Sequence, residues 1–262
     1  MHKRILITGA TDGIGLLTAE KLYNEGHEII LHGRNEKKLN KISKMLGNSV
    51  TYQADFSSLD EVILMSNNVL KKFTKLDVLI NNAGILKTSL TETISKRDVR
   101  FDVNMIAPYI LTKKLLPIIP KFGRVINLSS AAQSFVNINA LKTFQIMDDM
   151  EAYSQSKLGL IIWSNYLSNK MQDGPIFVTI NPGSLLATKM VKEGFGINGN
   201  NINIGADILV KASISKDFIP QTGMYFDNDK GVFSTPHQAA KNLEHIKDVM
   251  NILNEISSKL IY

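Results

Sequence analysis

The chain has 262 residues, 44% hydrophobic and 21% charged, the balance of a globular protein with a sizeable core. It contains no cysteine, which excludes disulfides and thiolate chemistry, and no apolar run approaches the length of a membrane span. The net charge of +6 comes from 30 basic and 24 acidic residues spread without aromatic interleaving, so Lys37, Lys38, Lys41 and Lys44 read as a solvated helix face rather than a nucleic-acid surface.

An apolar run at residues 5–7 breaks into Gly9, Gly13 and Gly15, and helical spacing follows at Ile14, Leu17, Leu22 and Tyr23. That order predicts a buried parallel strand, a tight turn and a helix. Glycines let the backbone turn sharply and approach a ligand, and the free N–H groups of the helix start face an anion, usually a phosphate. Further strands are expected at residues 28–32, 50–54, 77–80, 123–130, 176–180 and 223–226, and helices at 36–46, 59–73, 98–117, 151–171, 204–214 and 236–260. Residues 131–150 have no clean period. Strands alternating with helices predict parallel pairing with right-handed crossovers. The expected fold is α/β, a doubly wound Rossmann-type three-layer sandwich with a mostly parallel, seven-stranded sheet. No repeat or linker interrupts residues 1–262, which are expected to form a single dinucleotide-binding domain. Residues 184–204, rich in glycine and asparagine, are expected to be a mobile substrate lid.

Ligands of open parallel sheets sit at the carboxyl ends of the strands. Here those ends carry Gly9 to Gly15, Arg34, Asp55, Asn82, Ser130 and Pro182-Gly183 in series, which marks a cleft edge. A literal G-x-G-x-x-G occurs at Gly194, Gly196 and Gly199, but no strand precedes it and it is rejected as a phosphate loop. The five histidines show no ligand spacing beside acids, so no metal site is expected. Tyr-x-x-x-Lys occurs three times, at Tyr109/Lys113, Tyr153/Lys157 and Tyr166/Lys170. Each pair lies one turn apart on a helix face. Only Tyr153/Lys157 falls near the start of the helix that follows Ser129-Ser130.

The spacing Gly9-x-x-x-Gly13-x-Gly15, the run Asn81-Asn82-Ala83-Gly84 and the pair Tyr153/Lys157 together resemble the classical short-chain dehydrogenase/reductase family. The likeness covers nearly the whole chain. It implies hydride transfer between a nicotinamide and a carbonyl or alcohol carbon, with Tyr153 as general acid/base. A free phenol titrates near about 10, too high for easy proton exchange at neutral pH. Lys157 would favour the phenolate and hydrogen-bond the nicotinamide ribose. Ser130, preferred to Ser129 as the last of the pair, would hold the substrate oxygen, and Asn104 would support a relay water. The cofactor would contact Gly9, Thr11, Asp12, Gly13, Ile14 and Gly15 at the first turn. Asp55 and Phe56 would meet the adenine, and Asn82, Ala83 and Gly84 the adenosine ribose. Pro182, Gly183 and Thr188 would lie near the nicotinamide, although Thr188 comes one residue later than the family pattern.

An arginine after the second strand suits the 2′-phosphate of NADP, whereas an acid there suits NAD. Arg34 therefore favours NADP(H), against the departure that Asp12 stands where NADP-preferring relatives often carry a basic residue. The longer span from Ser130 to Tyr153, with Phe135, Leu141, Phe144, Ile146 and Met147, and the ending that starts Thr222-Gly-Met-Tyr-Phe226 resemble the retinol-dehydrogenase/protochlorophyllide-reductase-like branch. That likeness points to a lipophilic carbonyl or alcohol substrate; a plain cover for the core is the alternative role of the insertion. The expected assembly, by the same resemblance, is a homodimer or homotetramer built on residues 98–117 and 151–171, in the cytoplasm and without nucleic acid. The competing reading is a non-catalytic NADP(H)-binding sensor or scaffold on the same fold.

Overall fold

Strand and helix alternate along the chain because apolar runs with period two give way, at glycine or asparagine turns, to runs with helical spacing. The structure, a computed structural model, describes residues 2–261, so Met1 and Tyr262 of the expected 1–262 span lie outside the described residues. β1 (Arg4–Ile7) leads to α1 (Gly13–Asn24), β2 (Glu28–Gly33) to α2 (Glu36–Met45) and β3 (Val50–Gln53) to α3 (Leu59–Lys72). β4 (Val78–Asn81) leads through a long loop to α4 (Val99–Phe101), a π-helical turn (Asp102–Ile106) and α5 (Ala107–Leu115). β5 (Arg124–Leu128) precedes α6 (Ile138–Lys142) and α7 (Asp149–Lys170), and β6 (Ile176–Asn181) precedes α8 (Lys189–Phe195) and α9 (Asn203–Ile214). β7 (Met224–Asp227) and β8 (Val232–Ser234) form a hairpin before α10 (Leu243–Ile261).

The strands make one sheet in the order β3-β2-β1-β4-β5-β6-β7-β8. β1 to β7 are parallel, and β8 runs antiparallel to β7. The order reverses between β1 and β4, which opens a crevice at the carboxyl ends of those strands. Alternate residues face opposite layers. Leu6, Ile30, Leu79, Val125 and Phe177 pack beneath α3, α5, α7 and α10. Ile5, Ile7, Ile29, Leu31, Ile80 and Val178 pack beneath α1, α2 and α9. Strands covered on both faces are apolar throughout, which is why they read as continuous runs.

Several local features depart from the expected pattern. β8 adds an eighth, three-residue strand. The helix expected over 98–117 carries the π turn in its middle, and the last helix starts at Leu243 after a 3-10 turn (Gln238–Lys241) rather than at 236. The stretch without a clean period holds α6, capped by the Asn137 side chain. The 184–204 segment is not loop throughout: α8 starts at the Thr188 cap and ends on Gly196 in the left-handed region, φ 70°. The rejected G-x-G-x-x-G is thus in part a helix stop signal.

Candidate active site

The floor of the site is the turn after β1. Gly9 and Gly13 have φ of 65° and 57°, values that L side chains adopt at a cost. A Cβ on Gly9 would lie 2.9 Å from Ala83 Cα, and one on Gly15 would lie 2.3 Å from the Gly9 carbonyl oxygen. The turn and the chain after β4 therefore touch backbone to backbone. Thr8 and Asn82 lock this contact. The Thr8 hydroxyl accepts from the N–H groups of Asn82 and Ala83, both at 3.0 Å, and Asn82 Nδ2 donates to the carbonyls of Thr8 and Gly9 at 2.8 and 3.0 Å. Asn82 is thereby committed to the protein, and the chain at Ala83 and Gly84 is what it leaves to face a ligand. Above Gly13 the surface is open, with Thr188 Cγ2 the nearest atom to an added Cβ at 3.7 Å. Asp12 caps α1, its carboxylate accepting from Gly13 N–H. Thr11 rests on Gly33 at the end of β2, and Ile14 faces Gly205 on α9.

At the far end of the turn, Arg34 and Asp55 approach to 3.8 Å, the arginine exposed and the carboxylate half-buried. Asp55 also accepts from Ser57 N–H at 2.9 Å and Ser57 Oγ at 2.8 Å, fixing the carboxylate at the end of β3. Phe56 is buried and stacks on His32 at 4.2 Å between ring centroids, so its ring belongs to the core. His32 meets Gly9 N–H through Nδ1 and the Ala54 carbonyl through Nε2, and burial lowers its pKa to about 4. It is a neutral strut between the glycine turn and β3. Lys38, read from sequence as one of four solvated lysines, bonds Asp12 at 2.9 Å and so brings a cation to the glycine turn from α2.

The third cluster gathers behind Gly84. A Cβ there would sit 3.3 Å from Asn104 Oδ1 and 3.5 Å from Lys157 Nζ, so the absence of a side chain lets these groups close on the chain. Asn104, on the π turn, accepts from Ile85 N–H at 2.8 Å and donates to the Ile85 carbonyl at 2.9 Å and to Ser156 Oγ at 3.0 Å. A π turn shifts the backbone ladder by one residue and recurs at functional sites. Gly159 allows the approach of α7 to this turn, since a Cβ there would meet Met105 Sδ. Lys157 is 4% exposed and donates to the Leu128 carbonyl at 2.7 Å. Burial lowers its pKa to about 8. Its ammonium lies 5.5 Å from the centre of the Tyr153 ring. Burial raises the Tyr153 pKa, and the Ser130 hydroxyl facing the phenol works the other way.

The two serines divide. Ser129 is buried and its hydroxyl donates to the Lys157 carbonyl at 3.1 Å, a brace between β5 and α7. Ser130 faces Tyr153, and its own carbonyl accepts from Gln133 Nε2 at 2.8 Å and Tyr225 OH at 3.2 Å. Tyr225, from β7, is a positioning contact that the sequence pattern did not single out. The first turn of α7 is anchored by Arg100, buried between Asp98 and Asp149. Of the other two tyrosine–lysine pairs, Tyr109 donates to Asn254 at 2.8 Å and Lys113 to Ser257 at 2.9 Å, so that pair docks α10. Tyr166 lines a surface groove between α7 and α10, away from the glycine turn. Pro182 and Gly183 leave β6 at the cleft edge, and Thr188 Oγ1 accepts from Val191 N–H at 3.2 Å. Thr188 thus stands opposite Gly13 whatever its register in the motif.

A family model described as short chain dehydrogenase matches residues 3–195. The chloroplastic short-chain dehydrogenase TIC 32 A of Brassica napus is 29% identical over 255 residues, covering 86% of this chain and 80% of the relative. Human retinol dehydrogenase 13 is 27% identical, covering 87% and 77%. Among solved structures, one described as a short chain dehydrogenase from Escherichia coli CFT073, complexed with NADPH, superposes with a TM-score of 0.70 at 26% identity over 86% of this chain and 96% of that one. A Mycobacterium paratuberculosis protein shares the fold with a TM-score of 0.82 at 21% identity, over 98% and 93%.

Proposed function

The chain belongs to the short-chain dehydrogenase family of oxidoreductases, and on that premise we propose that it is an NADP(H)-dependent enzyme that interconverts a carbonyl and an alcohol, with Tyr153 as general acid/base. The observation that carries this reading is the convergence of Gly84, Asn104 and Lys157 beside Tyr153, on the chain after β4 that packs against the glycine turn.

The residues fit a dinucleotide. The turn carries no Cβ at Gly9, Gly13 and Gly15, is open above Gly13, and meets the N-terminus of α1. Gly9, Thr11, Asp12, Gly13, Ile14 and Gly15 would hold the pyrophosphate side. Asp55 and the backbone at Phe56 would meet the adenine, the backbone of Asn82, Ala83 and Gly84 the ribose, and Pro182, Gly183 and Thr188 the nicotinamide. Arg34 and Lys38 would share a 2′-phosphate, which answers the objection raised by Asp12: its carboxylate is already paired with Lys38. When bound, the nicotinamide supplies or accepts the hydride. The protein handles the proton. Ser130 holds the substrate oxygen, and the Tyr153 phenol gives it a proton or takes one from it. Burial alone disfavours both the phenolate and the ammonium, so each charge is least costly in the presence of the other. Lys157 thereby brings the phenol toward the working pH, and its hydrogen bond to Leu128 keeps the ammonium in place. Asn104, fixed to Ile85, supports a relay water beside Lys157.

A lipophilic substrate is supported by Leu90, Ile94 and Ile146, exposed on the segments that leave β4 and β5; Ile94 and Ile146 are 94% and 93% exposed. The Phe144 N–H to Lys96 carbonyl bond joins those segments. Among the described residues no helix is long and apolar enough to cross a membrane. A homodimer or homotetramer built on 98–117 and 151–171 would need α10 in its contact surface, because α10 already lies across Tyr109 and Lys113. Light scattering on the purified chain tests this, and a monomer mass would remove it.

The functional test is a panel of carbonyl compounds scored for oxidation of NADPH and NADH. Turnover of an apolar ketone or aldehyde with NADPH preferred supports the proposal. Tight NADPH binding without turnover of any substrate would favour the sensor reading, and tighter binding of NADH would overturn the NADP(H) assignment.

A further inference from the structure

The proposed lid leaves the sheet at Gly183 and runs into α9, and one side chain outside it grips both ends. Asn228, in the β7–β8 turn, donates through Nδ2 to the Pro182 carbonyl at 2.9 Å and to the Ile204 carbonyl at 3.2 Å. The next residue, Asp229, accepts from Ser184 N–H at 2.8 Å and from Ser184 Oγ at 2.5 Å. Asn181, the last residue of β6, ties the same turn to the sheet by donating to Asp227 at 3.0 Å and Asp229 at 2.8 Å.

Above this grip the lid has a closed neck. Ala187 N–H donates to the Asn200 carbonyl at 2.7 Å, Asn200 N–H to the Leu185 carbonyl at 2.6 Å, and Asn200 Nδ2 to the Ser184 carbonyl at 3.1 Å. Gly199 makes this approach possible, since a Cβ there would lie 2.7 Å from Ala187 N. Between grip and neck the backbone is strained. Leu185 has φ 52°, and Gly183 has φ 124°. A branched residue in the left-handed region persists only where its surroundings over-determine it, and such residues cluster at moving parts of functional sites. The surroundings here are Asn200, which bonds the Leu185 and Ser184 carbonyls, and Asp229, which holds Ser184 from the β7–β8 turn.

We propose that Asn228 and Asp229 are positioning residues that clasp the two stems of the lid and set how firmly α8 and Thr188 are held over the glycine turn. The clasp explains why β8 exists: a three-residue strand adds little to the sheet, but it closes the hairpin whose turn presents Asn228 and Asp229. The part of this inference that concerns the bound dinucleotide rests on the proposed function; the clasp itself does not.

Lys189 and Lys192, on α8, are exposed and give trypsin a local report of lid opening. In ligand-free protein, Asn228→Ala and Asn228→Asp should both be cut there about tenfold faster than the parent, because neither retains the amide N–H pair, with the change confined to local opening. Asp229→Asn, which keeps an oxygen for Ser184 N–H, should fall between them and the parent. Hydrogen exchange should be faster at the Ala187 and Asn200 amides and unchanged in β1, β4 and β5. Added NADPH should slow cleavage of the parent, and the Asn228 variants should need more NADPH for the same protection, with kcat altered less than KM. Parent-like cleavage in the Asn228 variants would overturn the clasp, as would faster exchange throughout the core strands, which would make the turn a general stabiliser. Failure of the parent to bind NADPH would sink the proposed function, while the ligand-free cleavage rates would still decide the clasp.

Discussion

Lys157 is a residue whose chemistry the fold strains. A lysine that titrates at 10.5 in the open chain and at about 8 when buried binds its proton less firmly in the folded state. Between pH 8 and 10.5 the unfolded chain therefore holds more protons, and stability rises with pH across that window. Below pH 8 the whole cost is present, on the order of 3 kcal/mol before the hydrogen bond to Leu128 offsets part of it. Lys157→Met should accordingly melt higher than the parent at pH 7 without cofactor, with the gap shrinking toward pH 10, while losing turnover. A lower melting temperature at pH 7 would mean that the ammonium contributes net stability. The case for Tyr153/Lys157 over the other two pairs was legible in the sequence, because its position after Ser129-Ser130 is a one-dimensional fact. The burial of Lys157 was not, because it depends on β5, Gly84 and the π turn, which are distant in the chain and meet only in the fold.

At the scale of elements, the strand–turn–helix at the start of the chain carries the cofactor reading. Gly15 meets the Gly9 carbonyl and Asn82 so closely that an added methyl has nowhere to go without moving the turn. Gly15→Ala should lower NADPH affinity by about two orders of magnitude, equivalent to about 3 kcal/mol, with far-UV circular dichroism of the folded chain retained. Titration of intrinsic fluorescence with NADPH measures it, and parent-like affinity would show that the turn does not hold the dinucleotide. This element could be read from residues 4–15 alone, since apolar run, glycines and helical spacing are local. The π turn could not: the apolar pattern over 98–117 suits a regular helix, and the one-residue shift at Asp102–Ile106 leaves no mark in hydrophobic spacing. β8 was missed for a related reason, because three half-exposed residues at a sheet edge show no alternation. α8 was hidden by the glycines that end it.

Across the whole molecule, the parallel pairing of β1 to β6 brings six strand ends to one edge and the reversal of order between β1 and β4 opens a crevice there, which the sequence foreshadowed because each end carries a glycine or polar residue. What it did not foreshadow is how the far C-terminal part returns to the site. Tyr225 reaches Ser130, Asn228 and Asp229 reach the lid, and α10 takes Tyr109 and Lys113 for its own packing. These are contacts between residues far apart in the chain, and neither composition nor period encodes them. The same closure leaves Tyr153 as the one tyrosine of the three pairs whose phenol meets Ser130 beside a buried ammonium. Tyr153→Phe removes a single oxygen and leaves the glycine turn untouched. Measured with NADPH and a turned-over carbonyl compound, it should bind NADPH as the parent does and lose turnover by about two to four orders of magnitude. Turnover retained at the parent rate would contradict the assignment of proton transfer to this hydroxyl.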